Sequence, residues 1–156
     1  MIAALTGRLE GRTADSVVLN VGGVSLRVFV PAPAAQDCGS IGDTVVLYTH
    51  LHVREDALLL YGFLRPAERD FFERLLGVSG VGPKVALALL SALPSPDLEA
   101  AIGRGDVEAL TRIPGVGKKT AARLVLELKG KLDLSQALSG RPPVSTADAE
   151  VLAALT

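Results

Sequence analysis

Ile113-Pro-Gly-Val-Gly-Lys-Lys-Thr-Ala-Ala-Arg123 and Val78-Ser-Gly-Val-Gly-Pro-Lys-Val-Ala86 stand thirty-five residues apart and say nearly the same thing. Aligned at that offset, Leu75–Leu93 and Leu110–Leu128 share Leu75/Leu110, Gly80/Gly115, Val81/Val116, Gly82/Gly117, Lys84/Lys119, Ala86/Ala121, Leu89/Leu124 and Leu93/Leu128. That is eight identities in nineteen positions, and Val78/Ile113, Leu87/Ala122 and Leu90/Val125 exchange one apolar residue for another. The spacing predicts the same unit twice: a helix, a tight Gly-apolar-Gly turn, and a second helix.

Such a unit has a physical use. Glycine permits the positive φ angles of a tight turn and leaves no side chain in the way of a close ligand. Val81 and Val116, between the glycines, can plug into a core and fix the turn. The first amides of the following helix lack intrahelical partners and point outward at the positive end of the helix dipole. That end of a helix receives phosphate. Lys118 and Lys119 follow the second turn, and Lys84 follows the first. Arg123, four residues past Lys119, falls on the same helix face one turn on. A lone Gly-x-Gly makes a compact helix–helix turn and nothing more. Two copies, each with a lysine at the equivalent position, point to two anion sites.

Two nucleotide motifs do not fit. A Walker A loop needs glycine five residues ahead of Gly-Lys-Ser/Thr; here Arg112 holds that place and Lys119 follows Lys118. A dinucleotide fingerprint needs a preceding strand, and Leu110–Ile113 continues a helical pattern. What remains is a paired helix-hairpin-helix, whose two turns would hold DNA backbone across one minor groove. Contacts to phosphates position a protein without reading sequence.

The chain has 156 residues, 49% apolar and 21% charged, with a net charge of −1. These values describe a folded protein with room for a core and exclude one that is basic throughout. Charge is nonetheless uneven. Residues 66–132 hold 10 Lys/Arg against 8 Asp/Glu, while residues 1–65 hold 5 against 6 and residues 133–156 hold 1 against 3. All five lysines lie in the middle segment. No apolar run approaches the roughly 18 residues of a membrane span, and the first residues lack a secretory pattern. The expectation is a cytoplasmic protein without a membrane partner. A single cysteine, Cys38, leaves no internal disulfide.

Up to about Leu64 the chain reads as β-structure. Leu19-Asn-Val-Gly-Gly-Val-Ser-Leu-Arg-Val-Phe-Val30 places Gly22-Gly23 between two β-prone runs, a hairpin signal. Val45–Val53, Leu58–Phe63 and Ile2–Leu9 complete about five strands, which suits a small OB-type barrel. From Ala67 to Leu128 the spacing turns helical, with four or five short helices punctuated by Gly and Pro. The expected organisation is α+β and multidomain: an OB-fold over residues 1–64, tandem hairpins over 65–132, a flexible linker over 133–146, and over 147–156 the start of a further helical domain. Phe29, Tyr48, Tyr61 and Phe63 are few for a base-stacking platform and are expected in the core. His50 and His52 share a strand face, but without a placed third ligand they predict no metal site. No cofactor is expected.

Val53-Arg-Glu-Asp-Ala57 sets two adjacent carboxylates in a turn between strands, which by spacing alone is ordinary turn solubility. The chain as a whole resembles the RuvA family, the Holliday-junction-binding subunit of the bacterial branch-migration complex. The resemblance rests on the Met1-Ile start, Val21-Gly-Gly-Val24, Thr49-His50, Val53-Arg-Glu-Asp-Ala57, Leu60-Tyr-Gly-Phe63, Gly80-Val-Gly-Pro-Lys84 and Pro114-Gly-Val-Gly-Lys-Lys-Thr-Ala121. It runs in order from residue 1 to about residue 131. It implies a fourfold-symmetric homotetramer, one or two per junction, that lays an open four-way junction flat. It makes Glu55 and Asp56 an acidic pin at the crossover. It also makes Ser79, Gly80, Val81, Gly82, Lys84, Gly115, Val116, Gly117, Lys118, Lys119 and Arg123 the contacts to the DNA arms. The family's third domain contacts the RuvB ATPase motor, and Asp148–Thr156 looks like that domain's first helix. The rival expectation is a helix-hairpin-helix repair enzyme, a glycosylase or structure-specific nuclease; a scaffold binding only proteins is a third.

Overall fold

The computed structural model describes residues 2–139. Strands β1 (Ala4–Arg12), β2 (Ser16–Val21), β3 (Val24–Phe29), β4 (Thr44–Val53) and β5 (Leu58–Phe63) close into a barrel in the order β1-β2-β3-β5-β4. All neighbours are antiparallel except β3 and β5. Alternation along the strands turns Leu9, Val17, Leu19, Val28, Val45, Leu47 and Leu60 inward. Gly22 and Gly23 join β2 to β3 at φ of 61° and 99°, the double positive φ of a two-residue hairpin turn. The interior is narrow. A Cβ on Gly62 would lie 2.6 Å from Val28 Cγ1, so glycine there is a packing requirement.

Helix α1 (Ala32–Asp37), which follows β3, is not among the elements expected from the sequence. Its start, Pro31-Ala-Pro-Ala, reads as a loop, yet proline pre-sets the φ of a first helical turn. Ala34, Ala35 and Cys38 pack into the barrel core. Arg12 donates to the carbonyls of Ala35 and Gly39, at 2.8 Å each, holding the end of α1 to β1.

The remaining helices are α2 (Pro66–Leu76), α3 (Pro83–Ala92), α4 (Ser95–Arg104), α5 (Val107–Thr111) and α6 (Lys118–Ser139). Proline stands in the first turn of α2, α3 and α4, where its missing N–H costs no bond. Gly105, in the left-handed conformation at φ 71°, closes α4. Apolar residues from α2 through α6 form one core with Tyr61 and Phe63 of β5. That core welds the helices to the barrel. Phe72 lies 4.9 Å from Phe63 and 5.3 Å from Tyr61, centroid to centroid, and His50 Nδ1 meets Glu73 Oε2 at 2.8 Å.

Helix α6 departs from expectation. It is 22 residues long and continues to Ser139, through the first seven residues expected to be linker. Gly130, read as punctuation, lies inside it. A single glycine in a run of strong helix formers such as Leu, Lys and Ala is tolerated at a cost of about 1 kcal/mol. The rest of the expected linker and the segment 147–156 lie outside the described residues. No single helix among the described residues is long and apolar enough to cross a membrane.

Candidate nucleic-acid interface

The repeat in the sequence is a repeat in bonding. In the first turn Val78 N–H donates to Leu75 O at 3.0 Å, Val81 N–H to Val78 O at 3.0 Å, and Ala86 N–H to Gly82 O at 3.0 Å. The second turn has Ile113 to Leu110 at 3.1 Å, Val116 to Ile113 at 3.0 Å, and Ala121 to Gly117 at 2.9 Å. Each bond is its counterpart displaced by thirty-five residues. Gly80 and Gly115 take φ of 84° and 90°, where a side chain is strained. Val81 and Val116 are buried and belong to the helical core, so each turn is pinned from beneath.

This geometry narrows the expected set of donors. The amides of Val81 and Val116 are already bonded within their turns, and the Ser79 amide donates to Glu127 Oε1 at 3.2 Å. Those three backbone N–H groups already have partners within the described residues. The first-turn amides of α3 and α6 remain, since helix geometry provides them no partner and no side chain caps α3. Gly82 and Gly117 lie beside them. Neither has positive φ, and a Cβ on either would meet nothing within 4 Å. Nothing inside the described part of the chain demands glycine at those two positions. A bare backbone there admits an outside group.

The cations divide in the same way. Arg65, Arg69, Arg74 and Arg104 pair with Glu68, Asp70, Glu99 and Asp106 at 3.7, 3.0, 3.9 and 3.5 Å. Lys84, Lys118, Lys119 and Arg123 are exposed and form no ion pair among the described residues. Cations without an ion pair thus stand at both helix starts, and Arg8, Arg27, Arg112 and Lys129 likewise form none elsewhere among the described residues. Two cavities of about 230 and 290 Å³ lie elsewhere, at the seam between barrel and helices. The interface at the turns is an open surface suited to an extended polyanion.

Glu55 and Asp56 stand apart from both turns. Arg54 N–H donates to Ala57 O at 2.8 Å, closing a hairpin that projects the two carboxylates, both exposed. Arg54 reaches Asp56 only at 3.9 Å, and the Asp56 side chain is 80% exposed. The pair sits at the end of β5 remote from α2, ~17 Å along the strand. Among the described residues, no three His, Cys, Asp or Glu side chains gather as a group able to hold a metal. His50 is engaged with Glu73 and packs edge-on to Phe72 at 5.7 Å.

Residues 1–62 match the family model described as the RuvA N-terminal domain, and residues 72–131 match the SAM-like helix-hairpin-helix tandem. Curated relatives cover most or all of the chain. The Holliday junction branch migration complex subunit RuvA of Herpetosiphon aurantiacus is 53% identical, covering 100% of this chain and 81% of the relative. Proteins of the same description from Chloroflexus aurantiacus and Syntrophotalea carbinolica are 50% and 51% identical. They cover 97% and 92% of this chain and 78% and 73% of their own lengths.

Proposed function

This chain belongs to the RuvA family, and on that premise we propose that it binds four-way DNA junctions by their structure, without reading sequence. One observation carries the proposal: the same turn occurs twice, with identical internal bonding, open helix-start amides and unpaired lysines. Two such turns suit two backbone segments of one arm. Gly80, Gly82, Gly115 and Gly117 let phosphate approach. Lys84, Lys118, Lys119 and Arg123 supply the charge. Ser79, Val81 and Val116 act by shaping the turns.

Glu55 and Asp56 act by repulsion. A carboxylate pair carried on a projecting hairpin repels the phosphates of continuous duplex laid across it. An open junction, with strands parted at its centre, leaves room for that hairpin. The assembly that puts the pairs at the crossover is a homotetramer, one or two per junction. ATP hydrolysis belongs to the separate RuvB motor, and this chain supplies binding, in the cytoplasm where bacterial DNA lies. The motor contact falls to the segment after the linker, outside the described residues.

Salt titration tests the phosphate role directly. Lys119→Ala weakens binding to junctions of every sequence alike and lowers the slope of log K against log salt by about 0.9. An unchanged slope would remove Lys119 from the interface. Labelled junction incubated with the protein and Mg²⁺ stays intact; cleavage would favour the repair-enzyme alternative.

A further inference from the structure

The two turns match in bonding and differ in charge. At the offset of thirty-five residues Ser79 stands opposite Pro114, and Ala92 stands opposite Glu127. Pro114 has no N–H to satisfy. Ser79 has one, and it is the Glu127 carboxylate on α6 that accepts it, at 3.2 Å across 48 residues of sequence. Glu127 lies nine residues beyond Lys118 on the same helix, ~13.5 Å along its axis. Thus the helix that opens the second turn presses a carboxylate against the first. The first turn carries one lysine, Lys84, with that carboxylate beside it. The second carries Lys118, Lys119 and Arg123, and no carboxylate bonds to it among the described residues.

We propose that Glu127 is a positioning residue that makes the two grips unequal: it seats the first turn against α6 and, through its charge, weakens phosphate binding there, leaving the second turn as the anchor. The inference rests on the reading that both turns hold phosphate. A carboxylate bonded to the turn's own backbone brings negative charge to the side of the turn that would seat a phosphate, and like charges repel. The Glu127 side chain is half-buried, so its repulsion is only partly screened. A loose grip beside a firm one holds an arm in orientation while letting its backbone advance.

Glu127→Gln separates the two roles, since the amide oxygen still accepts from Ser79 while the charge is gone. Junction affinity at about 0.05 M salt rises roughly threefold to fivefold, and the gain narrows without vanishing by about 0.3 M. The gain disappears in a Lys84→Ala background, where the first grip is already lost, and persists in a Lys119→Ala background. Ser79→Pro gives a second route. It copies Pro114, removes the donor, releases the carboxylate from the turn and raises affinity in the same direction. Equal affinity of Glu127→Gln and wild type overturns the proposal, as does a gain that ignores the Lys84 background. A change in assembly state by sedimentation also overturns it. Failure of the wild type to bind junctions in a salt-dependent manner overturns the underlying reading instead.

Discussion

Gly115 and Gly117 stand two residues apart and answer to different constraints. Gly115 sits at φ 90°, so Gly115→Ala strains the backbone and costs about 1–2 kcal/mol of stability. Gly117 lies outside that region with open space where a Cβ would go. Gly117→Ala costs under about 1 kcal/mol, the difference between alanine and glycine ahead of a helix. Junction binding falls about tenfold all the same, because the methyl group stands before the open amides. Urea unfolding and filter binding on both variants give the contrast; wild-type binding by Gly117→Ala would contradict it. Asp106 contributes to stability. Its carboxylate accepts from Ala109 N–H at 3.1 Å at the start of α5. That backbone bond, aided by Arg104 and Arg112, holds its pKa below the usual aspartate value despite some desolvation. A depressed folded-state pKa gives stability that is present above the ordinary value and lost as pH falls through the folded one. Asp106→Asn keeps an accepting oxygen and does not titrate. The wild type's advantage over this variant in unfolding midpoint shrinks between about pH 5 and pH 3; a constant difference would contradict the linkage.

Among the elements, α6 joins the most functions: its first turn carries Lys118 and Lys119, its middle closes the core through Leu124 and Leu128, and Glu127 reaches the first hairpin turn. Gly130 is its weak point, exposed and with nothing within 4 Å of the place a Cβ would take. Gly130→Ala therefore raises stability by about 0.5–1 kcal/mol, read as a higher urea midpoint; no gain would mean the helix does not persist through that residue. The sequence exposes what is periodic or repeated. The Gly-Gly hairpin, the strand alternation and the thirty-five-residue repeat are local patterns, and the barrel and both helical turns follow from them. The length of α6 is not local in that sense, because Gly130 and the Ser-Gln that follows resemble a boundary. Helix α1 is hidden by prolines that read as a loop. The candidate site divides likewise. Its glycines and the Lys84/Lys119 pair are legible because each occurs twice, whereas Glu127 is invisible because its partner lies 48 residues away. Pro114 opposite Ser79 and Glu127 opposite Ala92 are the available signals of asymmetry.

On the scale of the whole molecule, opposite charges occupy separate places: unpaired lysines at the hairpin turns, and exposed carboxylates at the far end of β5. A net charge of −1 conceals this division, and in the function proposed above the division serves to attract DNA arms and repel a continuous duplex. Neutralising the projecting pair with Glu55→Gln and Asp56→Asn accordingly raises duplex affinity and reduces the preference for junctions. Flat duplex binding in that variant would deny the carboxylates any role in discrimination. The most direct measurement is a gel-shift titration, at one stated salt concentration, of a synthetic four-way junction against linear duplex of equal length. A strong preference of the unaltered protein for the junction is the predicted result. Equal affinity for the two would contradict it.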